Sequence, residues 1–176
     1  MFNVTVGEYT IHSLPDGLPG LYSDYLKHSA LAEEFDLRSS EGTICFLAVS
    51  QGNQWPFLVV AQHYEPAGGG FDPGVVLIAE TSRLFVGAGT RLLAYDLFDK
   101  KKLWEDETEV GFWGWCRHGD YVVMSAELEL AAWDIQGKKL WTTFVEPPWD
   151  YAVMGEDINL NVMGKQRLFP LATGPR

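Results

Sequence analysis

A chain of 176 residues with a formal net charge of −11, from 24 Asp and Glu against 13 Lys and Arg, presents an acidic surface. Such a surface repels nucleic-acid phosphate and anionic lipid heads, so neither is expected as a partner, whereas a basic protein remains open. The length suits one domain spanning 1–176, and an aromatic content of 14% with seven Trp suits strands and interfaces.

Phe2-Asn-Val-Thr-Val and Tyr9-Thr-Ile-His alternate apolar and polar residues around Gly7-Glu8, which predicts a hairpin. Leu14 to Gly20 carries Pro-Asp-Gly and Pro-Gly signals and reads as loop. One N-terminal helix is predicted from about Ser23 to Asp36, capped by Ser23, with Tyr22, Tyr25, Leu26, Ala30, Leu31 and Phe35 near helical spacing. Its end is crowded by Glu33, Glu34 and Asp36, against the helix dipole. Thr43 to Val49 and Pro56 to Tyr64 read as strands, and Glu65 to Gly74 as a Gly- and Pro-rich loop. Further strands are predicted at Val75–Ala79, Phe112–Cys116, Asp157–Met163 and Gln166–Pro170, giving some ten to twelve strands with those of the repeat below.

A repeat runs from about Leu84 to Trp141. Phe85-Val-Gly through Ala94-Tyr95-Asp96 with Leu103-Trp104 recurs as Val123-Met-Ser through Ala132-Trp133-Asp134 with Leu140-Trp141. With the strand before each, the copies span about 75–105 and 112–145. An Asp closing a strand can accept backbone amides of the next turn, and a Trp packed over neighbouring strands fixes register. These residues resemble the blade repeat of PQQ-dependent dehydrogenase-like β-propellers and, more loosely, WD-type propellers. Closed propellers use four to eight blades of roughly 40–50 residues, more than two copies supply. The fold expected is therefore mainly β, with antiparallel meanders and propeller-blade-like repeats forming a partial propeller or a two-sheet sandwich, the helix covering an open edge. In the family the quinone sits in the channel of a complete ring, so no cofactor is carried over.

The candidate chemistry is sparse. His12, His28, His63 and His118 lie too far apart for a local metal motif, and Ser50 and Ser125 lack a nucleophile elbow. Cys45 and Cys116 form no CxxC unit and are expected as buried free thiols. Glu127 and Glu129 alternate on a strand predicted to be solvated. No apolar run reaches membrane-spanning length and the start lacks a secretory leader, so a cytoplasmic location is expected. Two stretches invite recognition. Glu105-Asp106-Glu107-Thr-Glu109 is an acidic run read as a loop between the copies, suited to steering a basic partner. Glu146-Pro-Pro-Trp149-Asp150-Tyr151 sets rigid aromatics beside carboxylates, with Phe71 and Asp72 as candidate neighbours. The expectation is a non-enzymatic protein-binding module, of the toxin-immunity or adaptor kind, using an acidic aromatic-bearing face. Two alternatives stand beside it. One is a small-ligand or carbohydrate-binding protein or hydrolase with a pocket between the sheets, lined by Trp113, Trp115, Trp149 and some of the carboxylates. The other is a self-associating homo-oligomer.

Overall fold

The computed structural model describes residues 1–39, 42–65 and 72–176. Within them the chain forms four sheets, stacked in sequence order. Alternation sets the first hairpin, β1 (Phe2–Val6) and β2 (Tyr9–Leu14), turning through Gly7 at φ +61°. β2 pairs with β4 (Thr43–Gln51) and β4 with β5 (Leu58–Tyr64), both antiparallel.

The helix is shorter than its spacing suggested. α1 spans Tyr22–His28, preceded by Leu21 with no side-chain cap from Ser23, and Ser29 turns extended at φ −73° and ψ 146°. Residues predicted as its second half form β3 (Leu31–Phe35), parallel to β5 at the far edge of the five-stranded sheet. Leu31 and Phe35 serve a period of two as well as a period near four, and the core between sheets selects the strand. The glutamates that would sit badly at a helix end instead point alternately outward and toward the second sheet. α1 lies on a sheet face, not an open edge: Tyr22, Tyr25 and Leu26 pack on Phe46, Ala48 and Val59. Two-sided burial explains why β4 and β5 read as continuous apolar runs.

The repeat forms two four-stranded meanders. The second sheet holds β6 (Gly74–Ile78), β7 (Arg83–Ala88), β8 (Arg91–Asp96) and β9 (Lys101–Glu107), with one 3-10 turn at Ala79–Thr81. The third holds β10 (Phe112–His118), β11 (Tyr121–Ala126), β12 (Glu129–Asp134) and β13 (Lys139–Phe144). β10 takes the place in the third that β6 has in the second. Each closing Asp accepts turn amides: Asp96 from Asp99 at 3.0 Å, Asp134 from Gln136 and Lys138 at 3.0 and 2.9 Å. The fourth sheet has three strands, β14 (Trp149–Met154), β15 (Asp157–Val162) and β16 (Lys165–Pro170).

The strands number sixteen among the described residues, more than predicted, because charged and Pro-flanked stretches also join sheets. The largest core cluster joins the first and second sheets, a second joins the second and third, and a third joins the third and fourth, while Cys45, Tyr64 and Ala88 form a smaller cluster also between the first and second. No described cluster joins first to last, so the partial stack, and not the two-sheet sandwich, is the arrangement seen. Close approach is visible at Gly87, where a Cβ would come within 2.6 Å of the Phe112 ring. No described helix is long and apolar enough to cross a membrane.

Candidate functional site

The acidic run is not a loop at its start. Glu105, Asp106 and Glu107 extend β9, because backbone pairing to Arg91–Leu93 tolerates charge on an edge strand. Glu105 accepts from Arg91 Nε at 3.1 Å and Lys102 Nζ at 2.9 Å. Lys102 also reaches Glu33 at 2.8 Å and Arg91 reaches Asp36 at 3.2 Å, both on or just past β3. The two cations flank the Phe35 ring, at 4.4 Å for Arg91 and 5.5 Å for Lys102. The Tyr95 hydroxyl donates to Glu33 at 2.5 Å. The Lys102 hydrogen bond holds the Glu105 carboxyl below its ordinary range, and the Glu33 bond holds the Lys102 ammonium above its own. Burial, reinforced by Glu33, pushes the Tyr95 phenol upward. This network clamps the first sheet to the second. Asp106 pairs with Lys139 at 2.8 Å and so ties the second sheet to the third.

Glu107 and Glu109 remain exposed, and Glu109 lines a cleft of ≈ 360 Å³ between the first two sheets. Its walls are the ends of β3 and β5, the Gly89–Thr90 turn and the Glu109–Gly111 segment. That segment is held by the Thr108 amide donating to Thr90 O at 2.8 Å and the Phe112 amide to Gly89 O at 2.7 Å. Asp36, Glu65 and Glu109 supply three carboxylates, against the single guanidinium of Arg91, already committed to Asp36 and Glu105. Tyr64 also lines the cleft. Burial raises its phenol first, and the Cys45, Asp72 and Asp16 groups add to the shift. Asp72 does not itself line the cleft, and Phe71 falls outside the described residues. An open, negative, partly walled site of this kind can take a cationic side chain.

The second candidate stretch divides between two faces. Glu146 is exposed ahead of a cis Pro147–Pro148 bond. Trp149 lies on β14, not in a loop. Its ring stacks on Trp113 at 5.1 Å and 8°, and its Nε1 donates to Glu127 O at 2.9 Å. Tyr151 follows on the same face, its hydroxyl 3.4 Å from His118 Nε2, and burial pushes its phenol up to about 12. Both rings join the core between the third and fourth sheets. Asp150 points the other way and accepts from Asn161 at 3.0 Å. Trp115 packs among Phe85, Phe112 and Trp133. Of the Trp rings proposed to line a sugar pocket, Trp113 and Trp149 stack on each other while Trp115 packs in the core between the second and third sheets.

Two smaller expectations are corrected. Cys45 is buried, its thiol pushed up to about 11 by desolvation, but Cys116 is exposed, because β10 is an edge strand with one side uncovered. Glu127 lies in the turn before β12, while Glu129 accepts from Thr142 at 2.6 Å, so they form no carboxylate pair on one strand. Among the described residues no group of three or more His, Cys, Asp and Glu is arranged to hold a metal.

One polar row escaped sequence reasoning. Asn3 Oδ1 lies 3.0 Å from His12 Nδ1, and His12 Nε2 lies 2.9 Å from Ser50 Oγ, across β1, β2 and β4. Burial lowers the His12 pKa, disfavouring the charged ring. Ser50 is only 3% exposed, so the row is read as a tie between strands. Period-two alternation places His12 on the outer face of the sheet, but only the register reveals its partners.

No family model and no curated protein matches the chain. Solved structures do. BamB from Moraxella catarrhalis is 13% identical, over 82% of this chain and 48% of that one, with a TM-score of 0.47. Sqt1 from Saccharomyces cerevisiae is 14% identical over 76% and 42%, at 0.45. The computationally designed Ika8 protein is 14% identical over 98% and 58%, at 0.47. The chain spans about half the length of these propeller-like structures, and likeness at this level carries no argument about function.

Proposed function

We propose that the chain is a protein-binding module whose acidic cleft between the first two sheets receives a Lys- or Arg-rich segment of a basic partner. The observation that carries this reading is the cleft itself: among the described residues Asp36, Glu65 and Glu109 line ≈ 360 Å³ in a chain of net charge −11, and Arg91, the one guanidinium on its wall, is paired with Asp36 and Glu105. Carboxylates just past strand ends or in a segment held by backbone hydrogen bonds lose little entropy on binding, and the surrounding field steers a cationic partner. Neutralisation of a basic toxin, or an adaptor role, is the class of activity this arrangement suits. The exposed Cys116 and buried Cys45, both free, fit a reducing, cytoplasmic setting.

The test is titration of a Lys/Arg-rich model peptide against a Gly/Ser peptide of equal length, read by fluorescence anisotropy. The basic peptide should bind, weaken about tenfold between low and physiological salt, and weaken by a further factor of about ten with Glu109→Lys. Equal binding of the neutral peptide, or indifference to Glu109→Lys and Glu65→Lys, would sink the reading.

A further inference from the structure

We propose that β1 is a self-complementary edge through which two copies of the chain pair antiparallel, about a two-fold axis at Val4. β1 bonds only to β2, and its other side carries no strand among the described residues. Phe2 is 70% and Val4 56% exposed. Both lie on the face shared with Val6, on which Val4 stands opposite Ile11 and Val6 opposite Tyr9, two members of the core between the first two sheets. The opposite face is tied down. Asn3 bonds His12, Thr5 bonds Thr10 at 3.0 Å, and His12 bonds Ser50. The free edge is therefore ordered before any partner arrives, which lowers the entropy lost on pairing.

Charge points to the occupant. An edge strand presents unpaired amides and carbonyls, and proteins usually guard it with charged side chains or Pro. β3, β9, β10, β13, β14 and β16 each carry at least one Asp, Glu, Lys or Arg. β6 carries none, but its ends are covered, with Ile78 fully buried and Gly74 against the Phe112 ring. β6 exposes only Val75, at 38%, whereas four of the five β1 residues are exposed, so β1 is the more open of the two uncharged edge strands among the described residues. For a chain of net charge −11, an uncharged strand is where two copies meet with least repulsion. Glu8, just beyond, is turned back onto Gln51 of its own sheet.

Register completes the argument. Antiparallel pairing about Val4 sets Phe2 opposite Val6, Asn3 opposite Thr5 and Val4 opposite its own copy. Apolar side chains then meet apolar ones on one face, and polar meet polar on the other. A lysine or proline in the strand would break the match, and neither is present. The proposal concerns a surface apart from the acidic cleft and does not depend on it.

The experiment measures mass by light scattering on size exclusion at micromolar and submillimolar concentrations, for wild type and Val4→Lys. Val4 is exposed, so the variant should keep the wild-type far-ultraviolet circular dichroism. Wild type should move toward dimer mass with concentration, and Val4→Lys should stay monomeric throughout. In a Cys116→Ser background, mild oxidation should cross-link Val4→Cys to its own copy and not Thr5→Cys, whose partner is Asn3. A wild type that is monomeric at every concentration overturns the proposal. So does a dimer that survives Val4→Lys, or one that cross-links through Thr5→Cys and not Val4→Cys.

Discussion

The second and third sheets share one strand plan and a closing Asp that accepts turn amides, yet they meet their neighbours by different chemistry. Trp104 and Trp141 reach forward alike, donating the indole N–H at 2.6 Å to Gly137 O in the next sheet and to Leu171 O beyond the last strand. Backward, the copies diverge. Tyr95 faces the first sheet and needs Glu33 for its hydroxyl, within the ionic clamp of Lys102, Glu105, Arg91 and Asp36. Trp133, the matching residue, faces the second sheet and is covered by Trp104 at 5.5 Å, Trp115 at 5.3 Å and the Lys139 ammonium at 5.2 Å. The difference teaches that the repeat specifies a meander, while each junction is free to be ionic or aromatic.

Mutations can break that comparison at graded cost. Trp133→Ala, emptying a site 1% exposed, should lower unfolding free energy by about 3–5 kcal/mol in denaturant melts, the largest effect expected. Trp141→Phe leaves the buried Leu171 carbonyl without its donor and should cost about 1–3 kcal/mol. The same change at Trp104, which is less buried, should cost less. If the two were equal, the forward contacts would not differ as their burial implies. Next come the closing aspartates. Asp96→Ala removes a turn amide's acceptor and the Arg83 partner at 3.0 Å, so it should exceed Asp134→Ala, which loses amide bonds alone. Asp106→Asn, an exposed pair with Lys139, should change stability by under about 1 kcal/mol.

The ionic and aromatic junctions should also part company in acid. Glu105 has a folded pKa held below its unfolded value, chiefly by Lys102, so its contribution is present above the ordinary carboxylate range and is lost as pH falls through the lowered value. Hydrogen exchange should therefore quicken at β3 and β8 below about pH 4 before it does at β12. Equal acceleration at both would mean the clamp is not what holds the first junction.

Which parts were legible follows from how far each signal reaches along the chain. The β1–β2 hairpin and the repeat were readable because alternation and the Asp and Trp positions are local. β3 was not, since Leu31 and Phe35 satisfy both a helical and a strand spacing, and a core assembled from two sheets decides between them. Glu105 to Glu107 looked like loop because their compensating cations, Lys102 and Arg91, act through register. The Pro147-Pro148 pair masked a strand that begins directly after it. Of the candidate site, Glu109 lines the cleft, but Asp36 and Glu65 on its rim arrive from strands that only the tertiary structure brings together.

The chain of core clusters, each shared by two neighbouring sheets only, bears on how the molecule comes apart. Removing everything after Val145 would strip the third cluster and leave the first two with all their members. The opposite end has no such freedom, because α1 and Phe46 close the outer face of the first sheet. Loss of order should then be directional, fraying inward from the last sheet as separable steps in place of one all-or-none melt.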